Sequence, residues 1–397
     1  MIKFQEGELK LLWRFYISRF LGDSFNIFLF YWIVYMKNLF SFTELSILII
    51  IFSVSPVLFE IPTGVFADIY GRKSSVLVGY FLLSCGFILI GLTTNYFLLM
   101  ALFVLIGLSV AFTSGALNAW PIDKLIDNNR TNLQTSFFQK NAIINSFSKF
   151  MAAIVGIISV KYLPFNFIWF ITSFGIFLSI FILFFEKEHF ERKADKLKDA
   201  YIEFGKTLKK GVKYTLNHKN LLLASFSLIV FFAAFSFSNI SWEPEAMNLG
   251  LPLNLLGLFA LFNSILGYLI ASNYGKVTKR VGVKKTLILG IIIYSLIHFF
   301  AIRIYEPYFF LFIYALKDSM WMGYLSPLYF GMLHDFYESK IRATLESLLS
   351  MVLSGSMLIF IFLGGLLNDF LGPRFAIFTT GVLVLLTIPI LNKVNHK

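Results

Sequence analysis

Asp68, Arg72 and Asp123 are an acid, a base and a second acid whose side chains could form one ionic lock. The first two lie in Gly64-Val65-Phe66-Ala67-Asp68-Ile69-Tyr70-Gly71-Arg72-Lys73, a short polar turn between two strongly apolar runs. The third closes Ala119-Trp120-Pro121-Ile122-Asp123. A guanidinium can bridge two carboxylates through charge-assisted hydrogen bonds, and Gly64 and Gly71 let helices or backbone approach closely. The plainer alternative is a set of loop charges that only fixes how the chain is threaded.

A second group of charges falls inside apolar runs, where charge is costly and each instance is a candidate for function. Arg19 and Asp23 are four apart, share a helix face and can pair. Glu60 precedes Pro62-Thr63-Gly64, Lys140 and Lys149 share one run, Lys317-Asp318 lies in another, and His298 in a third. A carboxyl in a low-dielectric cavity can hold and carry a proton near neutral pH, which marks Asp23, Glu60 and Asp318. A neutralised structural ion pair is the alternative for each. Lys317 and Asp318 point about 100° apart on a helix, so both cannot face one cavity centre. His298 reads as locally satisfied. In Trp242-Glu243-Pro244-Glu245 the proline bends the chain and two acids could attract a cation; a solvated loop with a polar cap is the reading adopted. Asn26, Asn118, Asn145, Asn239 and Asn263 either line a cavity or bond helix to helix.

Some chemistry is excluded. No G-x-x-x-x-G-K-[ST] loop is present for ATP hydrolysis, and no cluster of acid, histidine and nucleophile suggests an enzyme. Cys85 is the single cysteine, which rules out an internal disulfide and a multi-cysteine metal site. No cofactor and no metal are expected.

The elements that must position these groups are membrane spans. The chain has 397 residues and 58% hydrophobic content, with mean hydropathy +0.77. A soluble fold would leave too much of that surface in water. At roughly 20 apolar residues per spanning helix, twelve spans fit: 11–36, 43–66, 74–94, 96–121, 138–160, 166–185, 220–247, 253–275, 286–304, 308–333, 346–367 and 374–392. Met1 to Lys10 is charged and lacks a small-residue cleavage site, so the first segment is expected to be a retained helix. Twelve spans place both termini on one side. That side carries 25 of the 34 Lys and Arg residues, against four opposite (Lys37, Lys161, Arg303 and Arg374), with five inside spans. The positive-inside rule therefore makes both termini cytoplasmic. The same asymmetry argues that the net charge of +12 faces an anionic inner leaflet rather than nucleic acid.

The one long loop, Glu186 to Lys219, joins residues 1–185 to residues 220–397. Leu197, Tyr201, Phe204, Leu208 and Val212 recur in it at helical spacing, with lysines between them. This pattern predicts an amphipathic helix on the inner membrane surface, serving as a linker. An offset of about 211 residues superimposes Gly275 and Gly282 on Gly64 and Gly71, Met247 on Met36, and Arg342-Ala343-Thr344 near Arg130-Thr131-Asn132. A six-span unit duplicated in tandem leaves such traces. In the second copy Lys279 replaces Asp68 and Val283-Lys284 replaces Arg72-Lys73, so the acid-base chemistry stays with the first.

The pattern G-x-x-A-D-x-x-G-R-K resembles the loop between the second and third helices of the major facilitator superfamily of secondary transporters. The resemblance implies an all-α membrane fold of two pseudo-symmetric six-helix bundles rocking about a central site. It also implies a cytoplasmic gate formed by Gly64, Asp68, Gly71, Arg72, Lys73 and Asp123, with Asp68 facing a helix start near Thr344 to Ser347 in the other half. Glu60 to Lys73 and Ser114 to Trp120 look like bacterial efflux members. The expected activity is proton-coupled export of an amphipathic small molecule by a monomer in the bacterial inner membrane. Its aromatic cavity would hold Arg19, Asp23, Glu60, Lys149 and Asp318. Antiporters of the superfamily often carry a Gly-Pro-rich motif in span five, which Lys149-Phe150-Met151-Ala152-Ala153-Ile154-Val155-Gly156 lacks. An importer of small organic anions, and a non-transporting membrane sensor, are the rival readings.

Overall fold

The computed structural model describes residues 4–190, 197–338 and 341–396. Among these the regular structure is helical, with no strand: α1 (Glu8–Ser24), α2 (Trp32–Lys37), α3 (Phe42–Tyr70), α4 (Arg72–Leu92), α5 (Tyr96–Ser114), α6 (Ala116–Asp127), α7 (Gln134–Tyr162), α8 (Phe167–Phe184), α9 (Leu197–Asn217), α10 (Lys219–Asn239), α11 (Trp242–Asn248), α12 (Leu258–Ala271), α13 (Tyr274–Val281), α14 (Val283–Ala301), α15 (Pro307–Met320), α16 (Ser326–Asp335), α17 (Arg342–Leu371), α18 (Pro373–Leu385) and α19 (Thr387–Asn392). A backbone in lipid must satisfy its own hydrogen bonds, which is why apolar runs of this length become helices.

Ten helical stretches among the described residues are long and apolar enough to cross a bilayer. The two remaining expected spans are helical but interrupted. Span 11–36 breaks after Ser24 into a 3-10 turn at Ile27–Phe30 before α2 resumes. Span 308–333 passes through a π-helical turn at Trp321–Leu325 between α15 and α16. Asn26, whose side chain competes with the helical backbone, sits at the first break.

The chain forms two compact units, Met1–Tyr35 with Ile51–Ile202, and Met36–Ile50 with Glu203–Lys397. In the first, α1 packs on α7 and α8, and α4 packs on α5 and α8. In the second, α10 packs on α17 and α18, and α14 packs on α15 and α18. The same scheme of partners thus recurs, each around its own buried cluster. Leu12, Phe15, Trp120 and Phe137 belong to one cluster, and Leu228, Phe231, Leu287 and Tyr329 to the other. The corners match as well. Gly71 (φ 93°, ψ 154°) ends α3 and Gly282 (φ 88°, ψ 155°) ends α13. That region of backbone space is open almost solely to glycine.

The expected linker helix is present as α9. The side chains of Leu197, Tyr201 and Phe204 lie outside the described residues. Further along, Gly211 sits against Thr344 and Leu348 of α17, and Val212 and Leu216 line a mostly apolar cavity with Leu345 and Leu349. The later turns of α9 therefore pack on protein.

Candidate functional site

The acid–base pair of an ionic lock is assembled where α3 meets α4. Arg72 Nε lies 2.5 Å from Asp123 Oδ2, so the guanidinium takes one of the two expected carboxylates. Asp68 lines the same cavity of about 460 Å³ with Arg72 and Asp123, without joining the ion pair. Lys73 Nζ donates to the carbonyls of Phe184 and Glu186, both at 2.7 Å. Gly64 faces open space.

Sequence reasoning missed Glu186 and Glu188, assigned above to a plain linker. Glu188 accepts hydrogen bonds from the amides of Arg72 (2.7 Å) and Lys73 (3.1 Å). These are first-turn amides of α4, which have no partner within the helix and favour negative charge. Burial pushes the Glu188 carboxyl above its ordinary range, and the charge of Asp123 adds to this; the two amides and the Arg72 charge work against it. A Cβ on Gly71 would come within 2.5 Å of Glu188 Oε2, so that glycine is required by contact as well as by φ. The buried Glu186 pairs with Arg14 at 3.4 Å and with Lys124. The signal was available: these two acids stand at the head of the loop, directly after an apolar span.

In the first unit Arg19 Nε bonds Asp23 Oδ2 at 2.8 Å, as their spacing predicts. Asn145 Nδ2 donates to the same oxygen at 3.0 Å. Because α1 stops at Ser24, Asp23 sits in its last turn, at the negative end of the helix dipole, and these two donors offset that. Asp23 and Asn26 line an aromatic cavity of about 410 Å³ with Phe28, Trp32, Tyr80 and Trp169. Lys149 is exposed one turn along α7 from Asn145, and Glu60 is exposed on α3; neither forms an ion pair among the described residues. Neither lines the Asp23 cavity. Lys140 is buried with Glu8 at 2.5 Å.

In the second unit the structure overturns one reading. Glu243 and Glu245 are not in a solvated loop but are 3% and 4% exposed on α11. Pro244 falls in the first turn, where proline is tolerated. Trp242 stacks on Phe259 (centroids 4.2 Å) and Tyr314 (5.6 Å), which draws the segment inward. Glu245 pairs with Arg374. Asp318 accepts from Asn263 Nδ2 at 2.9 Å, whereas Lys317 turns the other way, its Nζ 4.4 Å from the Tyr314 ring centroid and 4.9 Å from that of Phe235. The two do diverge as helix geometry requires.

The sequence profile described as Major Facilitator Superfamily matches residues 13–274 and 244–394. This chain belongs to the major facilitator superfamily. The superfamily comprises transporters rather than enzymes, and the chain is a multi-pass membrane protein. It is similar to an uncharacterized MFS-type transporter, YxaM, of Bacillus subtilis (strain 168), with 25% identity over 252 residues. That match covers 60% of this chain and 60% of the relative. Among solved structures, the nucleoside transporter NupG shares the fold (TM-score 0.74, 14% identity, covering 98% of this chain and all of that one). So does the POT family transporter PepTSo (TM-score 0.70, 11% identity, covering 96% and 97%). A bacterial metal transporter has TM-score 0.68 at 15% identity, covering 98% and 99%.

Proposed function

We propose that this superfamily member is a proton-coupled exporter of amphipathic small molecules. It works by alternating access as a monomer in the bacterial inner membrane, with both termini cytoplasmic. Two six-helix halves, residues 1–185 and 220–397, are joined by the linker 186–219. The observation that carries this reading is the Asp23 carboxylate beside an aromatic cavity of about 410 Å³. Such a cavity accepts flat apolar groups by area and ring contacts, while a carboxylate among them suits a cationic centre or a proton. The solved structures that share the fold include a nucleoside transporter and a metal transporter, so fold alone does not select cargo.

The gate is Gly64, Asp68, Gly71, Arg72, Lys73 and Asp123, with Glu188 as an addition. In this reading Asp68 takes part in closing the cytoplasmic end while the Arg72–Asp123 pair holds α4 in place. Asp23 carries the coupling role and Arg19 and Asn145 position it. A second reading, uptake of a small organic anion, draws on Lys317, a buried cation outside any described ion pair.

The test is accumulation of a lipophilic cationic dye in cells expressing the protein, with a protonophore added midway. Lower accumulation that the protonophore abolishes is expected, together with its loss in Asp23→Asn and a sharp reduction in well-expressed Asp68→Asn. Accumulation equal to that of empty cells would overturn export, and labelled organic anions would then be tried. Full export by Asp68→Asn would overturn the gate.

A further inference from the structure

In the second unit three buried titratable side chains, Glu243, His298 and Lys317, come from the helices around Tyr314, and two of them, Glu243 and His298, have a polar atom without a hydrogen-bond partner among the described residues. Glu243 on α11 is 3% exposed, and its buried Oε2 has no hydrogen-bond partner among the described residues. His298 on α14 is fully buried; its Nδ1 bonds the Tyr294 carbonyl at 2.9 Å and its Nε2 has no such partner. Lys317 on α15 is buried, with Nζ over the rings of Tyr314, Phe235 and Tyr294. The Tyr314 ring touches all three elements. Trp242, next to Glu243, stacks on it; the His298 ring lies 6.3 Å from it; Lys317 is one turn along the same helix.

Two further charges on the elements packed here have partners of their own. Arg374 on α18 holds Glu245, and Asp318 on α15 accepts from Asn263 on α12. Tyr314 donates to the Ser238 carbonyl of α10 at 3.3 Å. Glu243 is therefore left without a compensating cation. An ionised carboxylate buried without a donor is among the costliest groups a protein can hold, whereas the neutral acid costs far less. The Lys317 ammonium is tolerated because ring faces attract a desolvated cation.

We infer that Glu243 is a proton-binding residue: it is held as the neutral acid in this conformer and exchanges its proton with water when the aromatic layer around Tyr314 opens. Deprotonation breaks the O–H bond and releases the proton to water. The charge left on the carboxylate is then neutralised by the ammonium of Lys317, which gives up its ring contacts to form an ion pair. His298 is the neutral group through whose Nε2 the proton can pass. That this exchange drives transport rests on the export reading above; the proton binding itself does not.

The test is infrared spectroscopy of the purified full-length protein in lipid nanodiscs, titrated with pH as the only probe. At neutral pH a protonated-carboxyl stretch is expected that is absent from Glu243→Gln, a near-isosteric mimic of the neutral acid that should elute as a folded monomer. In Lys317→Met the band should persist to a pH at least one unit higher, a tenfold change in proton affinity, because the compensating cation is gone. A wild-type spectrum with no band removed by Glu243→Gln, or a band whose titration ignores Lys317→Met, overturns the inference. Proteoliposome dye export by Glu243→Gln separates the two proposals. Export that responds less to a proton gradient supports a share for Glu243 in coupling beside Asp23. Failure of the wild type itself to export defeats the functional reading and leaves the infrared result to judge Glu243 alone.

Discussion

Glu8 shows what a single charge needs in this protein. Its carboxylate is fully buried and accepts from Lys140, Tyr16 (2.7 Å), Ser136 (3.2 Å) and the amide of Gln5 (2.8 Å). Burial alone would push the carboxyl up. The bonds from Lys140, Tyr16 and Gln5 and the charge of Lys140 outweigh it and hold Glu8 below its ordinary 4.5. A depressed carboxyl contributes stability that is present above 4.5 and lost as pH falls through the lowered value. Lys140→Met strips the cation from a buried pair, a change expected to cost about 3 kcal/mol at pH 7. It would be read as a lower unfolding temperature in detergent, with the deficit shrinking in acid as Glu8 is neutralised; an unchanged melt at pH 7 would refute it. Glu188 has the opposite sign, because burial lifts it above 4.5; its contribution is present in acid and declines as pH rises through the raised value. At this scale the sequence was legible where partners are close along the chain. Arg19 and Asp23 followed from four-residue spacing, while the partnership of Glu8 with Lys140 is set by how α1 packs on α7. Glu243 was misread for a related reason. A proline between two acids looks like solvent-facing chain, and only the stacking of Trp242 on Phe259 and Tyr314 reverses that.

Among the elements, the corners carry the clearest consequence. Gly71 and Gly282 share one backbone geometry but not one environment. A Cβ on Gly71 meets Glu188, whereas a Cβ on Gly282 meets nothing within 4 Å. Gly282→Ala is expected to cost backbone strain alone, about 1–2 kcal/mol. Gly71→Ala should cost more, since it must also dislodge Glu188 from the α4 amides. Thermal melts of the two variants decide this, and equal losses would remove Glu188 from the account. The start of α3 is secured twice. Ser41 and Glu44 form a reciprocal capping box, and Asp369 of α17 accepts from the amides of Phe42 (2.9 Å) and Thr43 (2.8 Å). The capping box is written in the local sequence, but the Asp369 contact is not. Continuous hydropathy likewise concealed the breaks in the first and tenth spans, because apolarity reports length in lipid and is silent on backbone register. Those breaks set Asp23 at a helix end and place a π turn four residues after Lys317.

Across the whole molecule the distribution of basic residues predicts an orientation that labelling can check. In a Cys85→Ser background, Thr94→Cys lies between α4 and α5 and Asn129→Cys between α6 and α7, both at exposed positions. A membrane-impermeant maleimide added to intact cells should modify the first and reach the second only after permeabilisation. The reverse pattern would invert the topology. The duplicated architecture was legible from a few residues at a common offset, and the recurring partner scheme of the helices is its structural counterpart. The chemistry is not duplicated, since the acid and base at the first corner have become lysine and valine at the second.

The corners at Gly71, Gly282 and Gly372, all at positive φ, have a genetic consequence. Every missense change reachable from a glycine codon by one base introduces a side chain, and none of the resulting residues shares glycine's freedom at that φ. Each corner is thus a codon at which drift has almost no neutral missense neighbour. The gene can change its substrate contacts far more readily than it can change where its helices turn.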